Sequence, residues 1–320
     1  MERRKFIKDS AIVGAVTTIP LLVTANSGMY SSEEYRSVHR ILTAGATHVG
    51  TLPILRAFAG GHTDYVSPFV LFDEFGPVQI TPGNDPLKVE AHPHAGVTPT
   101  TYFMRGSGHH KDSLDYDFQI EQGEFMMFSS GKGAIHMEET GGALVESGGV
   151  LHGFQIWLNT PSRYKFDDPT TVVYKENLLP ALQGDGFKAK VVMGELFGHK
   201  SNVETLSPAF YYHIELEPDG RLDIPTDPMH NAFAYVVEGE VELADQKSLA
   251  KNQIALYERG KSKINLYSKD GATLFLLGGQ PLDEVVYSYG PFVMNNAEQI
   301  NQCIHNYNTG LMGDPSIVNK

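Results

Sequence analysis

Two short stretches, Ala91-His92-Pro93-His94 and Ala134-Ile135-His136-Met137-Glu138, restrict what this chain can fold into more than anything else in it. Each is a pair of potential metal ligands one residue apart. Successive side chains of a β-strand point to opposite faces, so on strands His92 and His94 share a face, as do His136 and Glu138. Glu139 would point the other way, which makes Glu138 the ligand of the two adjacent acids. Forty-two positions separate His94 from His136, enough to place the pairs on neighbouring strands of one sheet or barrel. Side by side, those strands bring three imidazoles and one carboxylate to a single point. That donor set suits iron, manganese, nickel or copper with open positions better than a closed structural zinc site. The competing reading of each pair is a set of surface or hydrogen-bonded histidines, with no metal.

The rest of the chain reads as β. Of 320 residues, 41% are hydrophobic and 20% charged, so a sizeable core is available to one large or two ordinary domains. Gly 32, Pro 18, Phe 17 and Tyr 15 favour strands and turns over long helices. Short apolar runs recur at Leu52 to Phe58, Phe69 to Phe72, Thr101 to Met104, Glu124 to Phe128 and Phe154 to Leu158. Between them stand turn signals such as Gly106-Ser107-Gly108, Glu121-Gln122-Gly123 and Gly131-Lys132-Gly133. Pro93 lacks an N–H, so its strand must leave that side unpaired or end there. Phe103, Met126 and Phe128 have the character of a pocket lining or of plain barrel core. His109 and His110 read as a Gly-flanked loop, solvated or at a barrel mouth.

A weaker second copy follows. Tyr102-Phe103-Met104-Arg105-Gly106 aligns with Tyr235-Val236-Val237-Glu238-Gly239, and Glu121 to Phe128 aligns with Ala250 to Tyr257. This copy keeps the barrel pattern and loses the ligands. His230 stands alone, and nothing like His136-x-Glu138 follows Tyr257, so the second domain reads as metal-free. A linker is expected from Asn159 to Asn177. Near the end, Asn295 or Asn296 caps a predicted helix whose apolar face is Ile300, Cys303, Ile304 and Tyr307, with Gly310 as its stop.

Net charge is −13 and no basic cluster follows the N-terminus, which disfavours nucleic-acid binding. One cysteine, Cys303, excludes an intramolecular disulfide and a cysteine-based metal site. Residues 1–28 read as a targeting segment. Arg3-Arg4-Lys5-Phe6-Ile7-Lys8 is a basic start with adjacent arginines, and Ala11 to Val23 is an apolar run too short to span a bilayer easily. The order resembles a twin-arginine export signal and implies a periplasmic or exported protein, with a cytoplasmic one as the alternative.

Six ordered blocks together resemble the pirin family of two-domain cupins. They are Pro68 to Pro77, His92-Pro93-His94, His110-Lys111-Asp112-Ser113, Gly131 to Glu138, Gly153 to Asn159 and Gly290 to Asn295. The resemblance implies an all-β fold, two tandem cupin β-barrels with a short C-terminal helix. The domains would be residues 36–165, metal-binding, and 170–310, degenerate and carrying the terminal helix, followed by a tail over 311–320. It implies one mononuclear metal on His92, His94, His136 and Glu138, usually iron, with manganese, nickel, copper or zinc as alternatives. It also implies a monomer. Some pirins open the flavonol quercetin with O₂, so one expectation is a quercetin 2,3-dioxygenase-like enzyme taking a small aromatic, flavonol-like substrate, with Glu138 doubling as catalytic base. The other is a non-enzymatic, redox-responsive metal protein that binds a partner; a third, metal-independent structural cupin needs no ligands at all. The chain departs from the family after His94, where Ala95, Gly96, Val97 and Thr98 replace the common Arg-Gly-acidic pattern. A carboxylate ligand cannot come from Thr98, which leaves Glu138.

Overall fold

Glycine-punctuated apolar runs become strands, and every pairing between the strands named below is antiparallel. The computed structural model describes residues 34–59 and 65–316, and the expected export segment, residues 1–28, lies outside them. A seven-stranded sheet runs in the order Thr170–Tyr174, Phe125–Ser129, Val97–Arg105, Gly149–Asn159, Phe69–Ile80, Leu52–Ala59 and Gly45–Val49. The opposite wall of the N-terminal barrel has four strands, in the order Val89–His94, Ala134–Thr140, Gly108–Asp112 and Asp117–Ile120. Val89–His94 lies at the edge of that wall, which is where a strand can carry Pro93 without losing a ladder hydrogen bond.

The second barrel repeats part of the first within a single eight-stranded sheet. Its sheet runs Val38–Thr43, Gln253–Tyr257, Asn231–Leu243, Lys263–Gly279, Ala209–Pro225, Phe187–Met193 and Ala181–Gly184, with Ser248–Ala250 beside Asn231–Leu243. The internal repeat holds to the residue. Tyr102 pairs with Phe125 in one barrel, and the aligned Tyr235 pairs with Ile254 in the other. The turn before each of these partners needs a left-handed residue, supplied by Gly123 (φ 79°) in one copy and Asn252 (φ 63°) in the other. Leu222, Ile224, Ile264, Leu266, Leu274 and Leu276 fill the second barrel with aliphatic core.

Sheet membership differs from the expected division at 165–170. Val38–Thr43 joins the C-terminal sheet beside Gln253–Tyr257, and Thr170–Tyr174, inside the expected linker, joins the N-terminal sheet beside Phe125–Ser129. The two halves of the chain exchange edge strands, which covers edges that would otherwise expose unpaired backbone groups. The large sheets then meet through aromatic side chains. Phe154 and Phe275 lie edge to face at 4.4 Å and 89°, and Phe72 contacts both Phe233 and Tyr235; such pairs add about 0.5–1.5 kcal/mol each beyond burial.

The C-terminal helix spans Ala297–Asn308, and the Asn296 side chain caps it by accepting from the Gln299 N–H at 2.9 Å. Ile300 and Cys303 are buried, with Ile304 and Tyr307 packed at the margin, against Ala95, Ile135 and Met137. The helix therefore covers the back of the four-stranded wall. The expected tail is partly docked as well, since Met312 is buried in the same cluster and its carbonyl accepts from Ser113 Oγ. Among the described residues, no helix is long and apolar enough to cross a membrane.

Candidate metal centre

Strands Val89–His94 and Ala134–Thr140 are direct neighbours, with His136 opposite His92 and Ala134 opposite His94. Alternation then sorts the side chains. Ile135 and Met137 point back into the cluster under the C-terminal helix, while His92, His94 and His136 converge inside the barrel. One ring nitrogen from each of the three lies within 4.8 Å of the others. His94 and His136 are buried, and His92 is half-buried. The turn that ends the first ligand strand is pinned from three sides. Val293 N–H donates to the Ala95 carbonyl at 3.0 Å. Lys165 Nζ donates to the carbonyls of Gly96 and Val293 and to Asn159 Oδ1, each at 2.7 Å. Gly96 itself sits at φ 71°, and a Cβ there would lie 2.2 Å from the Val293 oxygen.

The ring nitrogens fit a metal. His92 Nδ1 lies 2.8 Å from the Glu90 carbonyl. A carbonyl only accepts, so Nδ1 carries the hydrogen and Nε2 keeps its lone pair. That lone pair faces His136 Nε2 at 3.0 Å. Two nitrogens bonded to one metal at about 2.1 Å and at right angles stand about 3.0 Å apart. Burial, reinforced by neighbouring imidazoles, pushes His94 and His136 well below the usual histidine range. They are therefore neutral near pH 7, the form that ligates. His94 Nδ1 is buried and has no hydrogen-bond partner among the described residues.

Glu138 occupies the same cleft but stands outside the three-histidine group. A register shift between His136 and Glu138 sets Glu138 opposite Val89. Its carboxylate reaches the facing sheet, where Thr101 Oγ1 donates at 3.2 Å and Gln155 Nε2 at 2.9 Å. Those two donors are themselves cross-strand partners. The cleft holds about 360 Å³. Val70, Leu71, Trp157 and Val293 give it apolar walls, and Arg56 and Asp73, joined by two hydrogen bonds of 2.8 and 2.6 Å, give it a polar one. Trp157 meets His94 edge to face at 4.8 Å.

Several expected roles move. Phe103 packs on Phe75 and Met126 lies in the same cluster, so both are core. Phe128 stacks on His136 at 4.7 Å, behind the ligand rather than in the cleft. His109 and His110 are on a strand, not in a loop. His109 pairs with Asp117 at the surface, and His110 is buried against His136. The Ser288–Val293 segment, Trp157 and Arg56 had no individual signal as cleft residues. His110 had one: His110-x-Asp112 repeats the spacing of the ligand pairs.

Comparison with known proteins agrees with this architecture. Residues 52–158 match the family model described as Pirin, and 211–313 match the Pirin C-terminal cupin domain. A pirin-like protein of Solanum lycopersicum is 30% identical over 283 residues, 87% of this chain and 93% of the relative. One from Caulobacter vibrioides is 32% identical over 254 residues, 79% and 86%. The crystal structure of a quercetin 2,3-dioxygenase from Acinetobacter baumannii superposes with a TM-score of 0.85 at 26% identity, covering 88% of this chain and 99% of that one. With two matching barrels in sequence order and curated relatives along most of its length, the chain belongs to the pirin family, a family of bicupins.

Proposed function

We propose that this pirin is a metal-dependent dioxygenase of the quercetin 2,3-dioxygenase type, with a single transition metal, iron first among the candidates, held by His92, His94 and His136 and by Glu138 at rest. The observation that carries this reading is the convergence of His92, His94 and His136, with His92, His94 and Glu138 lining an apolar-walled cleft. The likeness to the Acinetobacter baumannii quercetin 2,3-dioxygenase supports the substrate class. A bound metal supplies Lewis acidity that stabilises a deprotonated substrate oxygen. Glu138 accepts the proton of the flavonol hydroxyl; Thr101 and Gln155 hold its carboxylate in place for that transfer. Val70, Leu71 and Trp157 flank a planar ring system and exclude water from it. In this ring opening the flavonol itself supplies the electrons that reduce O₂, so no external reductant is needed.

Natively produced protein should contain about one transition metal per chain. His92→Ala and His136→Ala should lose it, by elemental analysis. Trp157 is the single tryptophan, so adding a paramagnetic metal to stripped protein should quench its fluorescence in step with binding. Oxygen uptake with quercetin and related catechols then tests the activity. Metallated protein that consumes no oxygen across that panel would refute the dioxygenase.

A further inference from the structure

The strand Gly108–Asp112 flanks Ala134–Thr140 on the side away from Val89–His94, with Asp112 opposite His136. Its alternation buries Gly108, His110 and Asp112 and leaves His109 and Lys111 partly exposed. The side chains of His110 and Asp112 are fully inaccessible to solvent. His136 Nδ1, the nitrogen turned away from the cleft, lies 3.3 Å from His110 Nδ1. His110 Nε2 lies 3.0 Å from Asp112 Oδ2. Asp112 is fixed in turn by the N–H groups of Leu114 and Tyr116 on Oδ1 and by Thr171 Oγ1 on Oδ2. We propose that His110 and Asp112 are positioning residues that lock His136 in the one tautomer able to bind a metal. The inference rests on the metal centre described above.

The argument runs outward from the carboxylate. Burial alone would favour the protonated form of Asp112, but the hydrogen bonds from His110, Thr171 and the Leu114 N–H outweigh it and hold the carboxyl below its usual range. An ionised carboxylate only accepts, so His110 Nε2 carries a hydrogen. A neutral imidazole then has its lone pair on Nδ1. That lone pair faces His136 Nδ1, which must donate to it. His136 Nε2 is left with its lone pair, aimed into the cleft 3.0 Å from the lone pair of His92 Nε2. The reverse tautomer would move that opposition of lone pairs from His92 and His136, where a cation relieves it, to His110 and His136. Their surroundings offer no relief, because the Phe128 ring lies 4.7 Å from His136 and 5.6 Å from His110. Metal-bound histidines usually give their outer N–H to a carboxylate or carbonyl. Here an imidazole stands between, and the carboxylate acts through it.

The test starts on metal-free protein labelled with ¹⁵N-histidine. Long-range ¹H–¹⁵N spectra should show His136 protonated on Nδ1 and His110 on Nε2; His136 protonated on Nε2 overturns the proposal. Asp112→Asn can donate to His110 Nε2 and should flip both rings. His110→Phe keeps the ring volume and removes the acceptor. Each should weaken Ni(II) binding by about 10–100-fold in chelator competition. His110→Asn offers an oxygen where Nδ1 stood and should restore affinity toward wild type. Folded Asp112→Asn and His110→Phe proteins with wild-type Ni(II) affinity also overturn it. Wild-type protein that binds no Ni(II), Fe(II) or other transition metal refutes the metal centre instead, while the tautomer spectrum still decides the relay.

Discussion

Glu138 is the residue whose role depends most on where its carboxylate is held. Two neutral donors on the facing sheet, Thr101 and Gln155, keep it in the cleft beside the histidines without neutralising it. Glu138→Gln keeps the size and both neighbours but cannot take a proton. It should lower turnover by about 10²–10⁴-fold, measured as oxygen uptake per bound metal. His92, His94 and His136 were legible because parity along a strand is a local property. Glu138 was legible only in part. Its parity puts it on the ligand face, yet the register shift after His136 and the donors across the barrel place it apart from the three rings. Beside Gly106-Ser107-Gly108, His110 read as loop, whereas its alternation with Asp112 marks a strand with one buried face.

At the scale of elements, the ligand turn, the start of the linker and the C-terminal segment meet at one ammonium. Lys165 is fully buried, and its three N–H bonds match three acceptors, on Gly96, Asn159 and Val293. Burial pushes it down to about 7, and the three neutral acceptors offset part of that cost without a carboxylate among them. Lys165→Met leaves those acceptors unpaired and should destabilise the fold by about 3 kcal/mol in denaturant titration. It should also loosen the Ser288–Val293 wall of the cleft and weaken metal retention. The helix that follows was readable to within a residue at either end, because its cap, at Asn295 or Asn296, and its i, i+3, i+4, i+7 face are sequence-local. The clamp was not, because Lys165, Gly96 and Val293 are far apart in the chain and only the fold brings them together.

Over the whole molecule, the two large sheets bury polar groups between them. Glu74 receives hydrogen bonds from His152, at 2.7 Å, and from Tyr235, one residue from each barrel. Tyr102 meets His213 at 3.0 Å across the same interface. His213 is partly exposed as a residue, but its Nε2 is buried and has no partner among the described residues. Burial first, then the charges of Lys190 and His152, push its imidazole down to about 3. The unfolded chain holds that proton from about pH 6.5 downward. Stability should therefore be full above about pH 6.5 and fall as the pH drops toward 3, by at most about 1.4 kcal/mol per unit from this group. His213→Phe should flatten the slope in unfolding measured from pH 7 to 5. The export reading belongs to this scale too: with residues 1–30 fused to a reporter, replacing Arg3-Arg4 by lysines should abolish export. What the sequence determined by itself was periodic and local: the ligand faces, the turns, the terminal helix and the repeat that pairs Tyr102 with Tyr235. Tertiary structure alone decided that Val38–Thr43 and Thr170–Tyr174 cross between barrels, that Glu138 answers to the opposite sheet, and that His110 stands behind His136. Those are long-range pairings, set by register and by which edges need covering, and no short window of residues encodes them.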